Sequence, residues 1–490
     1  MSEREASGMN KPVYVGLPMV RSLCPIIVAI LLVLAGRSTN AQTVTNLHSF
    51  GSSPSDGKNP YAGLVQGSDG NFYGTAVSGG TNNNGTMFRI SPSGNYTNFH
   101  IFVGSPTDGS TPYAGLAQGS DGDFYGTTYF GGTNNDGTVF RIGPGGSYTN
   151  LHFFGSYHAD GANPSGRLVL GSDGNFYGTT SIGGTNNDGT LFRIGPGGNY
   201  TNLYSFAGHP ADGEQPIAGL VQGNDGNLYG TTYYGGTNDD GTVFRIGPDG
   251  IYTNLHFFAG HPGDGANPYA GLVQGSDDDF YGTTVSGGTH NLGTVFKISP
   301  SGSYTILYSF GSFDTDGANP SAAVVQGSDG NFYGTTNSGG TNNNGYGSVF
   351  RISPGGSYTN IYSFNGSPND GASPFAALVQ GSDGIFYGTN RGGGTNNDGT
   401  VIKLTVPLNP PPYPINQITG IQLLGTNIVF KIPSIAYETY QLQFSSSMTP
   451  TNWVNVPGIS VTNSIGALLT LTNFGGALQP QGFYRFDITP

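Results

Sequence analysis

The sequence contains very little cysteine and very little charge. Its 490 residues include a single cysteine, Cys24, and Asp, Glu, Lys and Arg together make up only 9% of the chain. Cys24 lies in an apolar segment that we expect to be removed on export, so the remaining chain can form no disulfide and has no thiol for catalysis. With so few charged side chains, packing and turns must stabilise the fold.

Positive charge is scarcer than negative charge, and the formal net charge is −13. An acidic protein of this kind is repelled by nucleic acid and by anionic membranes. We therefore expect no nucleic-acid partner, whereas neutral glycans or cations are compatible with the charge. Glycine is abundant, with 85 residues, but 29 Tyr and 30 Phe give the chain enough apolar surface to fold.

The N-terminal region resembles an export signal. Residues 24–36 form an apolar run that follows Arg21 and precedes a small-residue stretch ending at Ala41. The run is shorter than the roughly 18–20 apolar residues of a membrane span, which is the alternative reading. We predict cleavage after Ala41, a secreted or cell-surface protein, and no membrane span after the signal is removed.

A repeat of about fifty residues dominates the rest of the chain. The tripeptide Tyr-Gly-Thr occurs seven times, at intervals of 52 residues and finally of 54, beginning at Tyr73, Tyr125, Tyr177, Tyr229, Tyr281, Tyr333 and Tyr387. Each copy contains four short apolar segments separated by glycine-bearing turns, which in the first copy are residues 62–66, 71–75, 86–90 and 96–102. Four antiparallel strands per copy predict a seven-bladed β-propeller. A parallel β-helix is the alternative, but its coils are shorter than this repeat.

The phase of the repeat predicts how the ring closes. Residues 43–50 have the sequence of a fourth strand with no preceding strands, and the seventh copy stops after its third strand at residues 401–404. We expect the N-terminal strand to complete the last blade, which removes an exposed edge. Apolar residues on both faces of the strands fit sheets stacked against neighbouring sheets. The glycine of Tyr-Gly-Thr is expected to admit an aromatic ring from the next blade.

The repeat divides the chain into four parts: a signal peptide at residues 1–41, the propeller at 42–405, a proline-rich linker at 406–416 and a small β-sandwich at 417–490. In the last part we predict six strands, at residues 420–424, 427–432, 440–444, 453–456, 467–472 and 483–488. Trp453, the single tryptophan, is assigned to the core of this sandwich, with an aromatic sugar platform as the alternative.

These motifs carry a family resemblance. The units that read Ser-Asp-Gly-Asn-Phe-Tyr-Gly-Thr, Gly-Gly-Thr-Asn-Asn-Asp-Gly-Thr and Phe-Arg-Ile resemble the GloVer tandem repeats of secreted bacterial proteins, over residues 43–404. The tail resembles a β-sandwich found at the C-terminus of other secreted bacterial proteins. The resemblance implies export and residence outside the cell, and it implies no particular activity.

Two aspartates and one cation recur in every copy, and structural roles are assigned to the cations and to most of the aspartates. One aspartate lies in the loop before the first strand: Asp56, Asp108, Asp160, Asp212, Asp264, Asp316 and Asp370. The other occupies the turn between the first two strands: Asp69, Asp121, Asp173, Asp225, Asp277, Asp329 and Asp383. The cations occupy the end of the third strand: Arg89, Arg141, Arg193, Arg245, Lys297, Arg351 and Lys403. Asp-Gly is common turn chemistry, and the turn aspartates and the cations lie on the same side of a propeller, so we expect the cations to pair with the turn carboxylates.

The long loops on the opposite side are the candidate ligand-binding surface. They carry five aspartates without a repeating cation, Asp136, Asp188, Asp239, Asp240 and Asp398, together with the aromatics Tyr129, Phe130, Tyr233 and Tyr234. Sugar hydroxyls bond to carboxylates and sugar rings stack on aromatic faces, so these residues predict a glycan site. Calcium binding is possible, although no copy has the spacing of an EF-hand.

Function is interpreted as binding rather than catalysis. Seven similar copies supply similar residues, whereas catalysis needs unlike groups with separated pKa values. The exceptions to the repeat on the long-loop side are Lys58, Arg167, His209, Glu214, His261, His290 and Arg391. We expect a monomer that binds extracellular glycan or a surface protein, with no catalytic residues and no cofactor. A polysaccharide lyase or hydrolase and a purely structural surface protein are the alternatives.

Overall fold

The computed structural model describes residues 43–406, apart from 156, 314, 342–344 and 369, together with the backbone of Val28–Ile30 and of six strands beyond residue 419. The chain forms two compact units, residues 41–406 and residues 1–40 with 407–490. No helix among the described residues is long and apolar enough to cross a membrane.

Residues 43–406 form a seven-bladed β-propeller, as predicted, and each blade is an antiparallel sheet of four strands. The inner strands are Val65–Gln66, Ala117–Gln118, Val169–Leu170, Val221–Gln222, Val273–Gln274, Val325–Gln326 and Val379–Gln380. The second strands are Phe72–Ala76, Phe124–Thr128, Phe176–Thr180, Leu228–Thr232, Phe280–Thr284, Phe332–Thr336 and Phe386–Asn390. The third strands are Thr86–Ile90, Thr138–Ile142, Thr190–Ile194, Thr242–Ile246, Thr294–Ile298, Ser348–Ile352 and Thr400–Thr405. The outer strands are Tyr96–Ile101, Tyr148–Phe153, Tyr200–Ser205, Tyr252–Phe257, Tyr304–Ser309, Tyr358–Ser363 and Thr43–Ser49.

Small two-stranded sheets tie the long loops together, and the sequence did not predict them. They pair Gly57–Lys58 with Ser78–Gly79, Gly109–Ser110 with Phe130–Gly131, Gly213–Glu214 with Tyr234–Gly235, Gly265–Ala266 with Ser286–Gly287, Gly317–Ala318 with Ser338–Gly339 and Gly371–Ala372 with Gly392–Gly393. In the third blade a single bridge joins Ala162 to Ile182, and a short helix, Tyr157–Asp160, precedes it. Each loop is therefore held by backbone pairing as well as by its turns.

The N-terminal strand closes the ring, which confirms the prediction from the repeat phase. Thr43–Ser49 pairs antiparallel with Thr400–Thr405, with Val44 opposite Leu404 and Ser49 opposite Thr400. Just beyond this pairing, the backbone N–H of Phe50 donates to the carbonyl of Gly399 at 3.0 Å. The seventh blade is thus built from both ends of the repeat region, and its outer edge is no longer a third strand with unpaired backbone groups.

The hydrophobic core lies between blades. One cluster joins Phe50 and Val401 of the seventh blade to Phe72 and Phe88 of the first, and all four side chains are fully buried. In most blades the tyrosine of Tyr-Gly-Thr also packs on the phenylalanine that opens the next blade's second strand, with ring centroids 3.9–4.4 Å apart. Because each sheet is covered on both faces, the strands need apolar side chains on both faces.

The glycine of Tyr-Gly-Thr admits an aromatic ring, but the ring comes from the same blade rather than the next one. Gly74 lies directly opposite Phe88 of the third strand, and a Cβ on Gly74 would approach the tip of the Phe88 ring to 2.6 Å. The expectation of a ring from the next blade was therefore wrong. Cross-strand pairing within the sheet brings the glycine and the ring together.

The second unit contains two sheets. Gly420–Leu424, Asn427–Pro433 and Leu468–Asn473 form a three-stranded antiparallel sheet. Glu438–Ser445 lies between Val454–Asn463 and Gly482–Thr489, and Val28–Ile30 adds to Gly482–Thr489 in parallel. Six strands thus occur close to the six predicted positions, while packing of the sheets as a sandwich stays a prediction. Trp453, most of the signal segment and residues 407–416 of the linker lie outside the described residues.

Deleting residues 43–49 is expected to lower the unfolding temperature of the propeller and to promote self-association, because Thr400–Thr405 then becomes an exposed strand edge. Calorimetry and light scattering check both effects against a chain that begins at residue 42. Unchanged melting together with a monodisperse deletion variant would rule out the closing strand as a stabilising element.

Candidate functional site

Two long loops of each repeat lie at the same end of the propeller, because successive strands alternate in direction. One loop leads from the outer strand of a blade to the inner strand of the next blade, and the other joins the second and third strands of a blade. One position, four residues before each inner strand, is repeated in every blade near the axis on this side. We call these seven residues the ring residues: Tyr61, Tyr113, Ser165, Ile217, Tyr269, Ser321 and Phe375. The neighbouring backbones are close at the axis, since a Cβ on Gly63 would lie 3.0 Å from the carbonyl oxygen of Ala377, in the adjacent blade. The ring residues therefore project into a shared central space.

A central cavity of about 570 Å³ opens in this space. Its lining residues are Tyr61, Tyr113, Tyr129, Phe130, Ser165, Ser181, Ile182, Gln215, Ile217, Tyr233, Tyr234, Tyr269 and Phe375. The lining combines aromatic rings with hydroxyl and amide groups, and it contains no carboxylate, imidazole, thiol or amine side chain. We refer to this space as the aromatic cavity.

The aromatic side chains are in mutual contact around the aromatic cavity. Tyr61 contacts Tyr113 and Phe375 with ring centroids 5.2 and 5.1 Å apart, and Tyr113 contacts Tyr129 at 5.3 Å. Tyr233 and Tyr269 are 6.0 Å apart on the other side. All of these rings are partly or largely exposed to solvent. Exposed apolar rings held at fixed angles offer ready-made stacking surfaces for a ligand.

Three phenol groups of the aromatic cavity, those of Tyr61, Tyr233 and Tyr269, hold their protons more tightly than usual. Burial raises the pKa of Tyr61, Tyr233 and Tyr269 above the usual value, although the charge of Arg391 partly opposes this shift at Tyr61. A phenol that holds its proton both donates and accepts hydrogen bonds. It is a poor general base at neutral pH.

The structure brings only part of the sequence-predicted site together. Tyr129, Phe130, Tyr233 and Tyr234 all line the aromatic cavity. The five predicted aspartates do not, and they serve the loops instead. Their part in a ligand site together with the aromatics stays a prediction. The sequence analysis did not single out the ring residues. Their repeat position is unusual because it is Tyr or Phe in four copies and Ser or Ile in three.

Two of these aspartates have identifiable partners. Asp239, with a positive φ of 61°, accepts a hydrogen bond from the backbone N–H of Gly235 at 2.9 Å, where other repeats use asparagine. Asp398 pairs with Lys58 of the first blade at 3.0 Å. These interactions hold the loops in place.

The other three loop aspartates are half-buried. Burial raises the pKa of Asp136, and burial together with nearby carboxylates raises the pKa of Asp188 and of Asp240. Their backbone carbonyls accept N–H groups of the following blade's loop, at 2.7–2.9 Å. They contribute to blade contacts through the main chain rather than by presenting charge to the aromatic cavity.

The seven turn aspartates are bonded mainly by tyrosine, not by the predicted cations. The tyrosine of each Tyr-Gly-Thr donates its hydroxyl proton to the turn carboxylate of the same blade, at 2.6–2.9 Å: Tyr73 to Asp69, Tyr125 to Asp121, Tyr177 to Asp173, Tyr229 to Asp225, Tyr281 to Asp277, Tyr333 to Asp329 and Tyr387 to Asp383. The four-residue spacing of Asp and Tyr across a hairpin was the sequence signal for this contact. The tyrosine side chain thus packs on the next blade with its ring and bonds the turn of its own blade with its hydroxyl.

The recurring cations differ from blade to blade. Lys297 pairs with Asp277 at 3.1 Å and with Asp279 at 2.6 Å, whereas Arg141 approaches Asp123, beside the turn, at 3.5 Å. Within the described part of the chain, Arg193 has no carboxylate oxygen within 4.0 Å. The expectation that all seven cations pair with turn carboxylates was therefore wrong, since Lys297 shares Asp277 with Tyr281 whereas Arg193 pairs with none of the described carboxylates.

A second set of seven aspartates lies in the loop before each inner strand, and most of them are buried. In each case a histidine or tyrosine of the preceding outer strand lies 2.7–3.5 Å from the carboxylate: His48 and Asp56, His100 and Asp108, His152 and Asp160, Tyr204 and Asp212, His256 and Asp264, Tyr308 and Asp316, Tyr362 and Asp370. This contact explains why histidine and tyrosine interchange at one repeat position.

The described residues contain no group of three or more His, Cys, Asp or Glu side chains placed to hold a metal ion. Calcium binding accordingly stays a prediction from composition.

The repeat itself identifies the family. The Gloeobacter/Verrucomicrobia repeat matches residues 37–237 and again residues 215–409, which together cover most of the chain. This chain belongs to that family. The match confirms the GloVer resemblance seen in the motifs. No curated protein matches the chain at a significant level.

Solved structures share the fold at low identity. Virginiamycin B lyase from Staphylococcus aureus is 16% identical with a TM-score of 0.51, over 74% of this chain and 99% of that one. An extracellular domain of a hybrid two-component system from B. thetaiotaomicron is 11% identical with a TM-score of 0.50, over 89% of this chain and 53% of that one. A lyase and an extracellular domain of a two-component system thus share this scaffold, so fold alone does not assign an activity.

Arg193→Ala is expected to change the free energy of unfolding by less than about 0.5 kcal/mol, because no carboxylate depends on this side chain. Lys297→Ala removes two ion pairs at the equivalent position of another blade and is expected to cost about 1 kcal/mol. Urea denaturation of the two variants measures the difference. Equal losses would show that the ion pairs of Lys297 contribute nothing.

The stability of the propeller is expected to fall between pH 4 and pH 2 through Asp56. Burial alone would raise its pKa, but hydrogen bonds from His48 and Ser52 outweigh burial and lower the pKa to about 2, below the ordinary 3.8. A lowered carboxyl pKa stabilises the fold above the unfolded value, and this contribution, about 2 kcal/mol, is lost as protonation proceeds. Urea denaturation across this pH range is expected to show a shallower decline for Asp56→Asn, but not for the control Asp239→Asn.

Proposed function

We propose that this chain is an exported, non-catalytic glycan-binding protein whose binding site is the aromatic cavity. The observation that carries the proposal is the contact network of partly exposed rings around a cavity of about 570 Å³. Cavities that hold small ligands typically measure about 300–1,000 Å³ and combine apolar walls with a few polar groups. The aromatic cavity has both properties.

The chemistry of the lining suits sugars. The C–H faces of a sugar ring stack on aromatic faces, and its hydroxyls need partners that both donate and accept hydrogen bonds. The neutral phenols and the side chains of Ser165, Ser181 and Gln215 supply such partners. Blade symmetry is broken at this site, because the ring before the inner strands carries Tyr or Phe in four blades and Ser or Ile in three. An asymmetric cavity can bind one ligand in one orientation.

The lining also argues against hydrolysis. Glycoside hydrolysis generally uses a pair of carboxylic acids, one on each side of the scissile bond. The aromatic cavity has none, and its partly buried tyrosines hold their protons more tightly than usual. A polysaccharide lyase would need one of these phenols as a base. Release of unsaturated sugar from a polysaccharide would therefore assign catalysis instead of binding.

Export is supported by the predicted signal in residues 1–41. Once outside the cell, a rigid propeller can present one glycan site on its long-loop side. A surface protein in place of a glycan, or a purely structural role, are the outcomes that a negative binding experiment would favour.

Replacing Tyr129 and Tyr233 together by alanine is expected to weaken glycan binding about tenfold or more, because a stacking surface is lost on each side of the aromatic cavity. The matched control is the double variant Asp136→Ala and Asp188→Ala, on loops of the same face but outside the lining. A glycan array identifies the sugars bound and calorimetry measures affinity. The site is misplaced if the control loses binding while the tyrosine variant keeps it, and a fully silent array would contradict the proposed function.

A further inference from the structure

Arg167 breaks the repeat at the centre of the propeller. Its position follows the ring residue Ser165 by two residues, and the equivalent residues of the other blades are small: Gly63, Gly115, Gly219, Gly271, Ala323 and Ala377. An arginine in one blade therefore replaces glycine or alanine in the six others. Such a large departure at a crowded place requires an explanation.

The packing at this level shows why small residues are the rule. A Cβ on Gly271 would lie 2.4 Å from the carbonyl oxygen of Gly219, in the neighbouring blade, and a Cβ on Gly115 would lie 3.2 Å from that of Gly63. Neighbouring inner strands thus nearly touch around the axis. The side chain of Arg167 extends across this ring, since its Cδ lies 3.7 Å from the Cβ position of Gly115, in the preceding blade.

Arg167 is enclosed by protein and yet reaches water. Its side chain is exposed to solvent even though it lies in the middle of the propeller, and the surrounding protein lowers its pKa by desolvation. Both facts fit a side chain inside a water-filled central channel. Within the described part of the chain, the guanidinium has no hydrogen-bond partner and no carboxylate in reach. An enclosed, unpaired guanidinium with all five N–H groups available is suited to bind an anion.

Arg167 lies two residues beyond Ser165, which lines the aromatic cavity. Two residues of chain span at most about 7 Å, so the backbone of Arg167 is within that distance of the lining. A second guanidinium, that of Arg391, stacks on two cavity-lining rings, 4.9 Å from the centroid of Tyr61 and 5.6 Å from that of Phe375. One guanidinium thus contacts the lining of the aromatic cavity, and Arg167 lies two residues along the chain from another lining residue.

We propose that the sugar bound in the aromatic cavity is acidic, a uronic acid unit whose carboxylate is bound by the guanidinium of Arg167. This inference rests on the proposed function, since it names the class of glycan for the same site. Guanidinium and carboxylate match as planar, bidentate partners, and their hydrogen bonds are strengthened by charge. The aromatic rings bind the faces of the sugar, and Arg391 adds positive potential beside the lining.

The inference departs from what the net charge suggested. A formal net charge of −13 favours neutral glycans or cations as ligands, because the distant field of the protein repels anions. Arg391 contacts two of the lining rings and the lining contains no carboxylate, whereas Glu214 is adjacent in the chain to the lining residue Gln215. The proposal requires that the two arginines outweigh Glu214 at the bound sugar. Added salt is expected to weaken binding of the acidic sugar, since both arginines are accessible to solvent.

The test compares acidic sugars with their neutral esters on the full chain. Trisaccharides of galacturonate, glucuronate and mannuronate, each with its methyl ester, are titrated against the wild type and Arg167→Ala. Alanine occupies this position in two other blades, so the variant is expected to fold. We expect at least one acid to bind, and the variant to bind it about ten- to a hundredfold more weakly while its binding of the ester is unchanged. Arg193→Ala is the control for loss of a distant cation.

Each other outcome is decisive. Equal binding of acid and ester, unaffected by Arg167→Ala, would overturn the acidic ligand and leave the glycan site intact. Binding of a sulfated disaccharide as tight as that of the uronates would show that the site selects negative charge rather than a carboxylate. If no acid and no ester binds, while the glycan array identifies neutral sugars, the inference fails and the proposed function stands. If nothing binds in either experiment, both fail.

Discussion

The contact on which the propeller depends is made by the tyrosine of each Tyr-Gly-Thr. Its ring packs against the next blade, on phenylalanine in six blades and on Leu228 after Tyr177. Its hydroxyl donates to the turn aspartate of its own blade. A single side chain therefore couples the hairpin within a blade to the packing between blades. A closed ring needs all of its interfaces to be satisfied together, and repetition of one contact at every interface meets that requirement.

Repetition also explains why the constant positions of the repeat have structural roles. The positions that are constant in every copy are used for turns, interfaces and loop anchors, and their aspartates are hydrogen-bonded within the protein. Asp56 and its six equivalents are bonded by the preceding outer strand, and the turn aspartates are bonded by tyrosine. The copies differ at the axis as well as in the long loops: ring residues such as Tyr61 and Ser165 differ between blades, and Arg167 occupies a position that is glycine or alanine in the other copies. The repeated scaffold can therefore hold an asymmetric cavity, because the residues that line it differ between blades.

Charge shows how composition misleads when positions are unknown. The acidic balance of the chain describes the whole surface, but most of its aspartates are in loops and turns, where they accept hydrogen bonds from nearby groups. The lining of the aromatic cavity contains no carboxylate, and two arginines lie beside it. The local field at a site depends on the few nearest charges, because solvent screens the more distant ones.

The repeat in the sequence was sufficient to determine seven blades, four strands in each and closure by residues 43–49, because hairpin turns and strand spacing are local signals and the phase of the repeat is countable. It also predicted Tyr129, Phe130, Tyr233 and Tyr234 as residues of the long-loop side. It did not determine which residues meet at the axis, nor which cations pair with a turn carboxylate that tyrosine already bonds. The contacts at the axis join residues of different blades, and only the closed ring brings them within reach. The bond from tyrosine to the turn carboxylate is local, across four residues of one hairpin, and its spacing was present in the sequence. Arg167 was visible in the sequence as an exception to the repeat, but its place beside Gly115 of the preceding blade was decided by the tertiary structure, because only the closed ring brings the inner strands of neighbouring blades together.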